Sequence, residues 1–275
     1  MSYFLTDDAV KLYYEVHGEG EKTMILVHGG SANSKFYKKQ VPVLSKHYKV
    51  VTYDLRGHGA SEIPDYGFNI KRMGQDLRDL IEYLKLENIY IVGWSLGTAI
   101  MLSYVEQFGQ DKIGGLIVVD MTAKSLTDET YQMGLYGKYT LEDCFQTVMD
   151  INNGWANLVP GFGQAFFGDL EKCKDEIEWA IAEEMKNSEA VMVRIWVQFA
   201  TIDQRHILPQ ITVPTLITYG GTEKLYKRGS SEYIHNAIPG SKLICFEGAS
   251  HALFLECPDE FNNAVIEFVG KGGTL

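Results

Sequence analysis

Nowhere in the 275 residues do about eighteen apolar residues run together, so no segment has the length and hydrophobicity that a membrane-spanning helix needs. The N-terminus, MSYFLTDDAVKLYYEV, also lacks a basic stretch followed by an apolar core, so no export signal is read there. Basic residues are scarce. The 25 Lys and Arg face 36 Asp and Glu, and the net charge of −11 repels phosphate backbones and leaves no basic stripe to hold them. These absences argue against nucleic acid and membrane as partners and leave a small molecule, met in the cytoplasm. Only four cysteines occur: Cys144, Cys173, Cys245 and Cys257. They are widely spaced with no CxxC pair, which argues against a zinc site or a dithiol redox motif and for reduced, mostly buried thiols. Internal repeats and low-complexity segments are lacking too.

What the chain does have is apolar residues, 45% of the total, enough for a sizeable core. Strand-like runs recur at 11–16, 23–29, 48–54, 88–94, 115–121, 213–220 and 242–248, and from residue 23 onward most are separated by stretches long enough for a helix. That alternation predicts an α/β fold, a mostly parallel sheet with helices on both faces. SYFLTD and VKLYYEVHG are joined too closely for a helix, so the sheet is expected to start antiparallel. Between about Ala123 and Gln204 the alternation stops. Helices are expected there around Leu141 to Asn152, Leu170 to Lys186 and Glu189 to Thr201, as an insertion after the strand ending at Asp120. The chain thus divides into a core of residues 1–123 and 206–275 and a helical cap of residues 124–205. The cap carries fourteen acidic against seven basic residues. It is rich in aromatics, with Trp155, Phe162, Phe166, Phe167, Trp179, Trp196 and Phe199, for each of which core packing is the favoured expectation over lining a cavity.

One stretch points to chemistry. In YIVGWSLGTA, residues 90–99, a β-branched and aromatic run gives way to helical spacing at Ser95, between Gly93 and Gly97. A strand can turn into a helix this sharply only if the central residue accepts an unfavourable backbone conformation and its neighbours lack bulk. Serine is a weak nucleophile and needs a base oriented by a third group. His251 follows a strand and a small-residue loop, KLICFEGAS, and so emerges at the strand edge where Ser95 does. Two carboxylates leave the same edge. Glu223 is preferred as the orienting acid, because Gly220, Gly221 and Thr222 let its loop curl back, and Asp120, closing GLIVVD, is the alternative. The backbone amides of Gly30, after TMILV, and Leu96, at a helix N-terminus, are expected to form an oxyanion hole. His28 and the DLRGHG stretch at 54–59 are read as loop braces.

These parts together resemble the α/β-hydrolase superfamily, in its capped, cofactor-free branch of esterases, lactonases and perhydrolase-like enzymes. The motifs are HGG at 28–30, YDLRGHGAS at 53–61, GWSLG at 93–97, VPTLITYGGTE at 213–223 and GASHALFLECP at 248–258. The likeness covers nearly the whole chain outside the insertion, and the family's order of nucleophile, acid and histidine maps onto Ser95, Glu223 and His251. The acid of the family is more often aspartate, a departure at Glu223. The resemblance implies a carboxylesterase-like or lactonase-like enzyme that cleaves a small, neutral, partly apolar substrate through an acyl-enzyme, with no metal or organic cofactor. Cleavage of carbon–carbon or amide bonds, or a non-catalytic ligand receptor, are the rival readings on the same scaffold.

Overall fold

The computed structural model describes residues 2–273. Eight strands form one sheet: β1 (Ser2–Leu5), β2 (Lys11–His17), β3 (Thr23–Val27), β4 (Lys49–Tyr53), β5 (Ile89–Trp94), β6 (Ile113–Val119), β7 (Thr215–Gly220) and β8 (Lys242–Phe246). Their order across the sheet is β1-β2-β4-β3-β5-β6-β7-β8. The β1–β2 and β2–β4 pairs are antiparallel and every later pair is parallel, as the alternation of runs predicts. Strands β3, β5 and β7 are buried at every residue, because helices cover both faces and a parallel sheet so covered needs continuous apolar runs.

The helices are α1 (Val41–Leu44), α2 (Ile70–Tyr83), α3 (Leu96–Phe108), α4 (Leu141–Asn152), α5 (Trp155–Ala165), α6 (Lys174–Glu184), α7 (Glu189–Ala200), α8 (Arg228–Ala237), α9 (Leu253–Glu256) and α10 (Pro258–Gly270). Helices α2 and α3 pack on each other, as do α9 and α10. The insertion between β6 and β7 holds four helices where the sequence suggests three. Helix α5 is the one without a sequence signal, since Pro160, Gly161 and Gly163 interrupt it. It forms because Trp155, Val159 and Gly163, four residues apart, all turn inward. At the base of the insertion its two connections run together: Ser125 N donates to Ile202 O, Gln204 N to Ala123 O, and Lys124 bridges Asp203.

The turn after β4 is braced from within. Asp54 accepts from the Ser34 and Ala60 amides, and the buried Arg56 guanidinium takes both oxygens of Asp76 at 2.6 Å and reaches Asp8 at 3.1 and 3.2 Å. His28 accepts from the Leu55 amide through Nε2 at 3.0 Å and holds Gly29 O through Nδ1. Burial brings its imidazole down to about 4, so it is a neutral strut between loops.

Candidate active site

Ser95 sits where β5 becomes α3. Its φ of 54° and ψ of −121° lie in a region that ordinary residues avoid, and the neighbouring glycines explain how the chain tolerates it. A Cβ on Gly97 would stand 2.1 Å from Val27 O, and one on Gly93 would stand 2.7 Å from the Thr98 backbone. Only hydrogen fits at either place. The turn is tied down by Ser95 N donating to Val119 O at 3.1 Å and Thr98 N donating to Ser95 O at 2.8 Å.

His251 is buried in the loop after β8. Trp94 Nε1 donates to its carbonyl at 2.9 Å, and its ring is packed among Trp94, Phe166 and Tyr226, with centroids 5.3 to 5.5 Å away. The side chain facing its Nδ1 is Asp120, at 2.6 Å through Oδ2. The preference for Glu223 is corrected by this contact. Glu223 is half-buried and makes no hydrogen bond to His251. The physical reason is the register: β6 lies beside β5 with Val119 opposite Trp94, so Asp120 leaves the sheet next to Ser95. The Gly220–Thr222 loop does curl, but its backbone is spent on the 246–250 loop, where Gly221 N donates to Phe246 O and Thr222 N to Ala249 O.

Ser95, His251, Gly30 and Leu96 all line one cavity of about 40 Å³. Among the described residues neither the Gly30 amide nor the Leu96 amide donates a backbone hydrogen bond, and both residues line the cavity. Apart from Ser31, the rest of the wall is mostly apolar and aromatic, from Trp94, Leu135, Leu225 and Tyr226 and from the insertion's Trp155, Phe162, Phe166, Met192, Ile195, Trp196 and Phe199. Five of the seven aromatics named above line the cavity as well as packing in or against the core. Phe167 is buried elsewhere, and Trp179 lies on Phe36 beneath the Lys38 ammonium. No Asp, Glu, Lys or Arg lines the space.

Tyr226 is a site residue that sequence reasoning misses, since nothing distinguishes it among sixteen tyrosines. Its hydroxyl contacts Met121 Sδ at 3.3 Å and interacts with the Ser95 hydroxyl. Burial, reinforced by the nearby Asp120 charge, pushes the phenol well above its usual range, so it remains a hydrogen-bond donor at any ordinary pH. No group of three His, Cys, Asp or Glu side chains gathers as a metal-binding set among the described residues. The four cysteines are free thiols, Cys144 and Cys173 buried, the other two half-buried. Among those residues no helix is long and apolar enough to cross a membrane.

Comparison with known proteins places the fold in a known family. The family model described as alpha/beta hydrolase fold matches residues 22–258. An esterase from Exiguobacterium antarcticum superposes with a TM-score of 0.92 at 26% identity, covering 98% of this chain and 99% of that one. The AB hydrolase superfamily protein YisY of Bacillus subtilis is 27% identical over 97% of this chain and 98% of its own. Karrikin insensitive 2 receptor IA of Petunia hybrida is 28% identical over 84% of this chain and 83% of its own.

Proposed function

The chain belongs to the α/β-hydrolase fold family, and from that premise we propose that it is a serine hydrolase cleaving a small, neutral ester or lactone through an acyl-enzyme. The observation that carries this reading is the Asp120–His251 contact at 2.6 Å beside Ser95, in a cavity walled by aromatics and free of charge.

In this reading Ser95 Oγ attacks the carbonyl carbon while His251 takes its proton through Nε2. Asp120 accepts from Nδ1–H, holds the ring in that tautomer and stabilises the imidazolium as it forms. The amides of Gly30 and Leu96 receive the developing oxyanion, where one such donor is typically worth about 3–4 kcal/mol of barrier. The alcohol leaves with the proton from His251. Water then attacks the acyl-enzyme with His251 again as base, and the carboxylic acid departs. The neutral Tyr226 phenol lines the cavity with Ser95 and would have to leave Met121 Sδ to hydrogen-bond a substrate oxygen. Residues 124–205 act as a lid, since the side chains of α5 and α7 wall the space over Ser95.

The cavity also limits the substrate. At about 40 Å³ the cavity beside Ser95 is small and apolar, which favours a short acyl group over a long chain. A substrate carrying a carboxylate near the carbonyl would lose its hydration without a cation to meet it. The test is a panel of aryl esters of graded acyl length, with a fluorophosphonate to label Ser95. Turnover greatest for acetate, abolished by the label, supports the reading; no turnover of any ester sinks it. A second reading follows the receptor relative: ligand-induced thermal stabilisation with no turnover would favour a binding protein that uses the same cavity.

A further inference from the structure

Glu184 ends α6 with a side chain wholly shielded from solvent. Ser31 Oγ donates to its Oε1 at 2.5 Å. Its Oε2 has no hydrogen-bond partner and faces Gly163, where an added Cβ would stand 2.9 Å away. A buried carboxyl so placed is costly and should have something to do. Its partner suggests what. Ser31 follows Gly30 directly, lines the same cavity, and has a φ of 61°, a left-handed conformation that serine holds only under outside constraint. The constraint comes from the cap. Glu184 takes the Ser31 hydroxyl, while Asn187, three residues on, donates Nδ2 to Ser31 O and to Glu184 O. Trp155 Nε1 donates to that last carbonyl at 2.9 Å, so the end of α6 is itself anchored to α5.

We propose that Glu184 is a positioning residue, which clamps Ser31 and so holds the Gly30 amide at the site of the oxyanion. The proposal rests on the hydrolase reading above. It makes the lid part of the catalytic geometry as well as a cover, because the amide that receives charge is set by a side chain of the insertion. A displacement of about 1 Å in such a donor can cost of the order of 100-fold in rate.

The clamp works as a neutral acid. Burial, only partly countered by the Ser31 hydrogen bond, pushes the carboxyl up to about 8. No charged group from any packed element acts on it. The 28–31 loop presents Ser31 and the neutral His28, and α5 presents Gly163 and Trp155. On α6 itself the adjacent Glu183 is paired with Lys35, Lys186 and Asn33, and on α7 Glu189 accepts from the Trp155 amide. Above about pH 8 a buried charge would appear that only the Ser31 hydroxyl meets, and the end of α6 should loosen to admit water to it, opening the clamp.

The experiment compares Glu184→Ala, Glu184→Gln and Ser31→Ala with the parent, on an acetate ester from pH 5 to 10. Glu184→Ala and Ser31→Ala should each lower kcat about 10- to 100-fold with KM little changed. Glu184→Gln, which keeps an acceptor for Ser31 and cannot ionise, should restore most of kcat and remove the fall in activity above about pH 8. Melting temperature gives a readout that needs no substrate. The folded protein keeps a proton that the unfolded chain releases, so this group's contribution is full below its ordinary value of 4.5 and drains away as pH rises to about 8. Glu184→Gln should flatten that decline. If Glu184→Ala does not fold, Ser31→Ala and the Gln variant carry the test. Parent-like kcat in Glu184→Ala or Ser31→Ala, or an unchanged alkaline fall in Glu184→Gln, overturns the clamp. A parent that neither turns over esters nor accepts the fluorophosphonate overturns the hydrolase reading, and the clamp with it.

Discussion

Asp120 and Ser95 stand at the carboxyl ends of adjacent strands, and both have left-handed φ values, 43° and 54°. The strained backbone turns each side chain off the sheet into the space between them, where His251 enters from the loop after β8. Strain of this kind costs of order 1–3 kcal/mol per residue, and the packing around it must outweigh that. In the proposed mechanism the chemistry then depends on one buried contact of 2.6 Å. Asp120→Asn should lower kcat by about four orders of magnitude, because the amide favours the wrong imidazole tautomer, whereas Glu223→Gln should leave kcat within about threefold of the parent. Steady-state rates on one short ester decide it; the opposite pattern would restore Glu223 to the site.

At the scale of elements, the elbow between β5 and α3 and the α5–α7 wall have different tolerances. Gly97 abuts the carbonyl of Val27 on β3, and a backbone atom cannot step aside as a side chain can. Gly97→Ala should therefore displace β3 or α3 and cost about 1–3 kcal/mol, read as a lower denaturant midpoint, with activity lost beyond what unfolding explains. Phe162 on α5 touches Trp155, Phe166 and Trp196 across the cavity wall. Its removal leaves space where substrate goes. Phe162→Ala should raise kcat/KM for butyrate relative to acetate about 10-fold, since each methylene accommodated is worth about 1 kcal/mol or more. An unchanged ratio would mean that the acyl group lies elsewhere.

At the scale of the molecule, the N-terminal strands, the turn after β4 and α2 meet at one guanidinium. Arg56 holds Asp76 of α2 and Asp8 of the β1–β2 turn with none of its side chain exposed. Cutting away a buried partner leaves the other charge uncompensated, and here Arg72 remains to meet Asp76 in part. Arg56→Leu should thus cost about 3 kcal/mol in chemical denaturation, little changed by added salt. The insertion is joined differently: by paired backbone at its base, and above by the reach of Glu184 and Asn187 to Ser31.

Much of this was legible before any coordinates. Gly93 and Gly97 around Ser95, the apolar runs of the strands and the small-residue loop before His251 are local patterns, and local sterics and periodicity determine what they become. The amino-acid order therefore set the strands, the point of insertion between β6 and β7, and the strand ends at which Ser95 and His251 emerge. It did not set which carboxylate reaches His251, because Asp120 and Glu223 leave the same edge, and only the β5–β6 register brings one of them next to Ser95. Nor could it reveal that Tyr226 shares a cavity with Ser95, that Trp155, Phe162, Phe166, Trp196 and Phe199 of the insertion line it too, or that Glu184 is buried against Ser31. Those facts depend on distances between segments as far as 153 residues apart, and such distances exist only once the chain has packed.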